Sequence, residues 1–194
     1  MANGDQSLGG VLAQMPWRFT QAPQMAPDDR DALIKTIAGE AGDQGPAGQA
    51  AVAHVVLNRL YAGGYGDTVK NIVQAPAAGV NPRLGYHEFS VWNPPSKQGN
   101  TIPQKIDPNG QEYTNIGDIV DRVYNGEIPD PTNGATHYFA GRMPPQWGQW
   151  GPQAAAQNSV RIGTQTFLGG STGPGQSLPD QSAGGFYDEG ALSG

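Results

Sequence analysis

Apolar residues recur with a helical period through much of the chain and with a strand period near its end. Between residues 28 and 41, Leu33, Ile34, Ile37, Ala38 and Ala41 share one face at 3.6 residues per turn, which predicts a helix capped by Asp28. Glu40 falls about 20° beyond Leu33 on that wheel, at the border of the apolar stripe. Gly45 and Pro46 then interrupt the pattern, and a second helix is expected over residues 48–61. Its apolar positions, including Val52, Val55, Val56 and Leu60, cover most of the circumference, so it belongs at the centre of a fold. A third helix is expected over 67–74, capped by Asp67, with Val69, Ile72 and Val73 inward. A fourth runs over 114–124 on Ile116, Ile119, Val120 and Val123 and stops at Asn125-Gly126. Residues 75–111 read as a long loop of Pro, Gly and Asn punctuated by Tyr86, Phe89 and Trp92, expected to wall a groove. Residues 134–140 and 160–168 are β-branched and aromatic, with Gly163 offering a hairpin turn, and they bracket a loop rich in Trp and Pro, MPPQWGQWG. The elements together predict an α+β domain, mainly helical with a small antiparallel β-sheet.

Composition changes this picture at the ends. The 194 residues contain 29 Gly and 17 Pro, and much of both lies in loops and terminal segments. Residues 1–26 carry isolated anchors such as Leu8, Leu12, Trp17 and Phe19 and read as an extended N-terminal tail. Residues 169–194 read as a Gly/Ser/Pro-rich C-terminal tail. The folded domain is placed at 27–168. Tails of this composition are ordered when docked on something else, so protein partners in an assembly are expected to hold them. A net charge of -6 argues against a phosphate-binding surface, and no partnership with nucleic acid is expected. No Cys is present, and His54, His87 and His137 lack the spacing of a metal motif, so neither a metal nor another cofactor is expected. The N-terminus lacks the basic start of a secretory signal, and no apolar run has the length of a membrane span.

The candidate chemistry centres on Glu40. A carboxyl beside a buried helix loses solvation, which favours its protonated form and suits it to deliver a proton. Glu88, in the aromatic loop, is the candidate second acid, set against an ordinary solvated loop glutamate. Thr136 and Tyr138 share one face of a strand, where they would hydrogen-bond a substrate, orient Glu40, or simply build the strand. His137 reads as a structural histidine, and Arg59, set among apolar neighbours, as a structural fastener. Trp92, Trp147 and Trp150 suit either packing or stacking against a flat apolar face of a ligand.

Several ordered motifs carry a resemblance. Glu40-Ala41, Gly48-Gln49, Ala51-Val52-Ala53, Val55, Leu57-Asn58-Arg59, His87-Glu88-Phe89-Ser90, the run from Asp130 to Tyr138, Arg161-Ile162-Gly163 and Phe167 are similar to those of the SleB/CwlJ-type cell-wall hydrolases, over about residues 30–168. The resemblance implies a lysozyme-like fold, peptidoglycan as substrate and lytic transglycosylase chemistry, with Glu40 matching the catalytic glutamate. Gln49, Phe89, Ser90, Trp92, Thr136, Tyr138 and Trp147 are then the expected substrate-binding residues. The chain departs from the pattern at Gln44, where the family often has Glu, and at Glu88, where it often has Gln. With the tails, this yields an expected virion-associated enzyme of a phage or phage-like particle, acting in the host periplasm or cell wall. The competing expectations are a two-carboxylate muramidase acting as a lysin, a non-catalytic structural adaptor on the same fold, and a glycan-binding module without turnover.

Overall fold

The computed structural model of the chain describes residues 24–77, 83, 85–94 and 102–170. Its first helix, α1, spans Pro27–Ala41. Pro27 starts it with a preset φ, and Ala26 supplies no side-chain cap, so Asp28 is not the cap; with Asp29 it lies in the first turn, where carboxylates oppose the helix dipole. The turn to α2 is short. That helix spans Gly45–Ala62, beginning three residues earlier than the pattern suggested, because Gly45 takes a left-handed φ of 67° and Pro46 opens the helix instead of breaking it.

As expected of a nearly all-apolar helix, α2 is the central one. Ala51, Val52, Ala53, Val55 and Val56 are fully enclosed, and α1, α3 (Val69–Val73) and α5 (Gln111–Tyr124) pack around it. Each buried valine, leucine or isoleucine here contributes about 1.5–3 kcal/mol over its exposed state. Thr68, not Asp67, caps α3, its hydroxyl accepting from the Asn71 N–H. Helix α5 starts at Gln111 rather than Thr114, and ends at Tyr124 before Gly126, at φ 75°. The long loop carries more structure than expected: a 3-10 turn at Ser90–Trp92 and a short helix α4 at Ile102–Lys105.

Three antiparallel strands follow, β1 (Ala135–Ala140), β2 (Ser159–Ile162) and β3 (Gln165–Gly170), in the order β1-β3-β2. Gly163, at φ 59°, turns the β2–β3 hairpin. Tyr138 lies opposite Phe167 and His137 opposite Leu168, so the two faces of the sheet receive alternate residues. Phe167, Tyr138 and Ile162 face the helical core. Leu168 and Phe139 face a second small core of Trp147, Met143, Trp150 and Ala154. The expected Trp-rich loop is therefore partly helical, with a 3-10 turn at Pro145–Trp147 and α6 at Trp150–Gln157.

Met25, assigned to the N-terminal tail, packs on the main core, and β3 extends past residue 168 into the segment read as the C-terminal tail. The remaining anchors Leu8, Leu12, Trp17 and Phe19, and the C-terminal segment from residue 171, lie outside the described residues. No helix among the described residues is long and apolar enough to cross a membrane.

Candidate active site

Glu40 lies in the last turn of α1, on the edge of the stripe that Leu33, Ile37 and Ala41 bury. Three donors from two other elements meet its carboxyl. Oε1 accepts the Val91 N–H at 3.0 Å and the Ser90 hydroxyl at 3.2 Å, both from the 3-10 turn. Oε2 accepts the Tyr138 hydroxyl of β1 at 3.1 Å. A fourth contact fixes the main chain: Gln165 of β3 donates through Nε2 to the Glu40 carbonyl at 3.0 Å. The residue as a whole is half-buried, and protein encloses its carboxyl.

Burial pushes the Glu40 carboxyl above the ordinary glutamate range. The bonds from Val91, Tyr138 and Ser90 and the charge of Arg59 act the other way without cancelling it. The Tyr138 phenol is held well above its ordinary range by burial and then by the Glu40 charge, so it stays a hydrogen-bond donor. A carboxyl in this setting carries a proton at a pH where an exposed glutamate has lost it, which is what a general acid requires.

Each element that reaches Glu40 is itself fastened. The Trp92 indole N–H donates to the Thr36 hydroxyl at 2.9 Å, tying the 3-10 turn to α1. The Asn93 side chain accepts the His87 N–H at 2.7 Å, and the Glu88 N–H bonds the Ala75 carbonyl. Strand β1 is set by α2: Arg59 Nε donates to the Thr136 carbonyl at 2.7 Å, and Asn58 bridges Asp130 and the Ala135 carbonyl. Asp130 accepts from both the N–H and the hydroxyl of Thr132 and from the Gly134 N–H. Burial alone would raise the Asp130 pKa, but its bonds with Thr132, Asn58 and Gly134 hold the carboxyl below its usual range. The turn after Glu40 is held too, since Gln44 Oε1 accepts the N–H and hydroxyl of Thr164 in the β2–β3 turn.

The structure thus gathers Glu40, Ser90 and Tyr138, with Phe89 tilted against the Tyr138 ring at 6.4 Å between centroids. Glu88 is not the solvated loop residue of the alternative reading. Its carboxylate is largely enclosed, 3.8 Å from the Arg59 guanidinium, which engages it in an ion pair. Thr136 does not reach Glu40; its hydroxyl pairs with His137 Nδ1 at 2.9 Å. Trp147 corrects the expectation of a sugar contact: it is buried against His137, Phe139 and Trp150 on the sheet face opposite Tyr138. Trp92 is half-buried as an anchor of the loop, and Gln49 is half-buried on α2, outside the set of residues hydrogen-bonded to Glu40. His54 of α2 is buried and bonded to the Ile128 carbonyl, while Tyr61 of the same helix is exposed. The Val91 N–H and Gln165 were missed. A main-chain donor leaves no mark in side-chain identity, whereas Gln165 was findable by its two-residue offset from Phe167 on the inward face. Among the described residues no group of three or more His, Cys, Asp or Glu is placed to hold a metal ion.

Comparison with known proteins bears on this geometry. The family described as cell wall hydrolase matches residues 43–168, a stretch that opens just past Glu40. The catalytic domain of the germination-specific lytic transglycosylase SleB from Bacillus anthracis superposes with a TM-score of 0.51 at 22% identity, covering 77% of this chain and 100% of that one. The catalytic domain of the Bacillus cereus SleB protein gives a TM-score of 0.46 at 19% identity, covering 80% of this chain and 100% of that one. No curated protein sequence matches. The first superposition shows the shared fold, mainly helical with one small antiparallel sheet.

Proposed function

This chain belongs to the cell wall hydrolase family, and from that premise we propose that it cleaves peptidoglycan glycan strands as a lytic transglycosylase, with Glu40 as proton donor and acceptor. Protonated Glu40 gives its proton to the oxygen joining N-acetylmuramic acid to N-acetylglucosamine, and the C1–O bond breaks through an oxocarbenium-like state. The acetamido oxygen of the substrate steadies that state. The Glu40 carboxylate then takes the proton of the muramic acid 6-hydroxyl, whose oxygen closes on C1 to form the anhydro ring. Glu40 ends protonated, and no water is consumed.

The observation that carries this reading is the environment of the Glu40 carboxyl. Its desolvation favours the protonated form, and its hydrogen-bonding partners are two neutral hydroxyls and one main-chain N–H. The nearest expected second acid, Glu88, is engaged by Arg59. These contacts favour one acid working alone over a two-carboxylate muramidase.

Digestion of purified peptidoglycan with product mass spectrometry tests the chemistry. Products lacking one water and bearing anhydro ends are expected, and Glu40→Gln should slow their release by about 10²–10⁴-fold. Reducing ends would overturn the transglycosylase assignment. No release by well-folded wild type would favour the adaptor. We extend the proposal to delivery within a virion that opens the host cell wall, supported by an acidic chain whose terminal segments are low in complexity with scattered aromatic anchors.

A further inference from the structure

Glu88, Phe89, Ser90 and Val91 are consecutive, and they serve two charged groups at once. Ser90 and Val91 bond the Glu40 carboxyl, while Glu88 lies 3.8 Å from the Arg59 guanidinium. Arg59 is 2% exposed. Its guanidinium stacks over the Phe89 ring at 5.0 Å and over the Tyr65 ring at 5.2 Å, and Nε is committed to the Thr136 carbonyl. A buried cation in such a place stabilises every carboxylate near it. Two are near, and they do not have the same use. Glu40 has to hold a proton, and Glu88 has no such task.

We propose that Glu88 is a positioning residue whose standing negative charge balances Arg59, so that Arg59 can fasten β1 to α2 without drawing Glu40 into its ionised form. This rests on the reading of Glu40 as the proton donor. Removing the Glu88 charge leaves the Arg59 cation without its balancing anion, and an unbalanced cation favours ionised Glu40. The Arg59 charge does act on Glu40, in the direction this requires.

The other groups packed about α1 leave Arg59 and Glu88 as the decisive pair. Tyr138 faces Glu40 from β1 and stays neutral. Glu112 of α5 comes near Gly42, beyond the end of the helix, and Asp43 is exposed in the following turn. Lys105 of α4 is exposed. His54 of α2 is bonded to the Ile128 carbonyl. Asp31 with Lys35 and Tyr113, Arg30 with Asp121, and Lys70 with Asp28 and Asp29 pair with one another toward the start of α1.

The test is the pH profile of glycan release by full-length Glu88→Gln and Glu88→Asp, together with the carboxyl titration of Glu40 followed by carbon NMR. In Glu88→Gln the alkaline limb of the profile and the Glu40 midpoint should both move to lower pH, by about half a unit or more. The maximal rate at the new optimum should stay within about threefold of wild type, a split that loss of a reacting group would not produce. Glu88→Asp should restore the wild-type profile. An unmoved Glu40 midpoint in folded Glu88→Gln overturns the inference while leaving the proton-donor reading intact. Loss of about 10³-fold or more at every pH, with the acid limb abolished, overturns it in favour of Glu88 as a second catalytic acid. If Glu88→Gln fails to fold, Glu88→Asp decides: its charge is kept, so a displaced Glu40 midpoint there sinks the proposal. A wild-type Glu40 that titrates as expected in a protein without glycan-cleaving activity would mean instead that the functional reading had failed.

Discussion

At the residue scale, the behaviour of Glu40 follows from a contest between desolvation and hydrogen bonding, and desolvation wins. The sign of the pH dependence is then set. Its folded pKa lies above the unfolded value, so its contribution to stability is fully present below the unfolded pKa and is lost as pH rises through the folded one. Glu40→Gln should therefore gain thermal stability relative to wild type between pH 4 and pH 7, as melting curves at several pH values would show. Gln can still accept from Val91 and Ser90, so a variant that melts lower at pH 7 would contradict this account. Tyr138→Phe removes a donor to the charged form without removing the ring from its place on Phe167. The alkaline limb of activity should move to higher pH, opposite to the shift expected for Glu88→Gln, and the maximal rate should fall about tenfold as the carboxyl loses one of its guides. Of these features, the position of Glu40 on its helical stripe was legible in the sequence, and Tyr138 stood among the candidates to orient it. The Val91 N–H and the Arg59–Glu88 pair join residues far apart in the chain, which no local pattern records.

At the element scale, helix cores were legible and their ends were not. The apolar period placed α1, α2, α3 and α5, because burial on one face is written in the spacing of side chains. Starts moved where a proline opened a helix, as at Pro27 and Pro46, or where the neighbouring hydroxyl of Thr68 made the cap. The helix α6 was hidden by its Gly and Pro residues, and it forms because Trp147, Trp150 and Ala154 find Leu168 and Phe139 on the outer face of the sheet. Trp147→Ala should accordingly destabilise the protein by about 3–5 kcal/mol in chemical denaturation. The folded fraction should keep its kcat. Weakened glycan binding with unchanged stability would return Trp147 to the sugar site.

At the scale of the whole molecule, one sheet joins two cores, and its inner face supplies Tyr138 and Gln165 to the end of α1. Among the described residues, the hydrogen bonds to the Glu40 carboxyl come from Ser90, Val91 and Tyr138. A chain trimmed to residues 24–170 should release glycan at the full-length rate, measured on soluble peptidoglycan fragments. A trimmed chain that folds but no longer cleaves would assign the terminal segments to the enzyme itself. The mainly helical α+β class, the central place of α2 and the place of Glu40 at the border of its apolar stripe all follow from periodicity and residue chemistry along the chain. They are local quantities, set by which side of a helix or strand an apolar residue occupies. Which groups would meet at Glu40, that Glu88 would face Arg59, and that Trp147 would lie behind the sheet depended on packing α1, α2, the 3-10 turn and β1 against one another. Those meetings are set by burial and hydrogen bonding between separate elements, the contacts at Glu40 joining residues 50 to 98 positions apart, and side-chain spacing within one element carries no information about them.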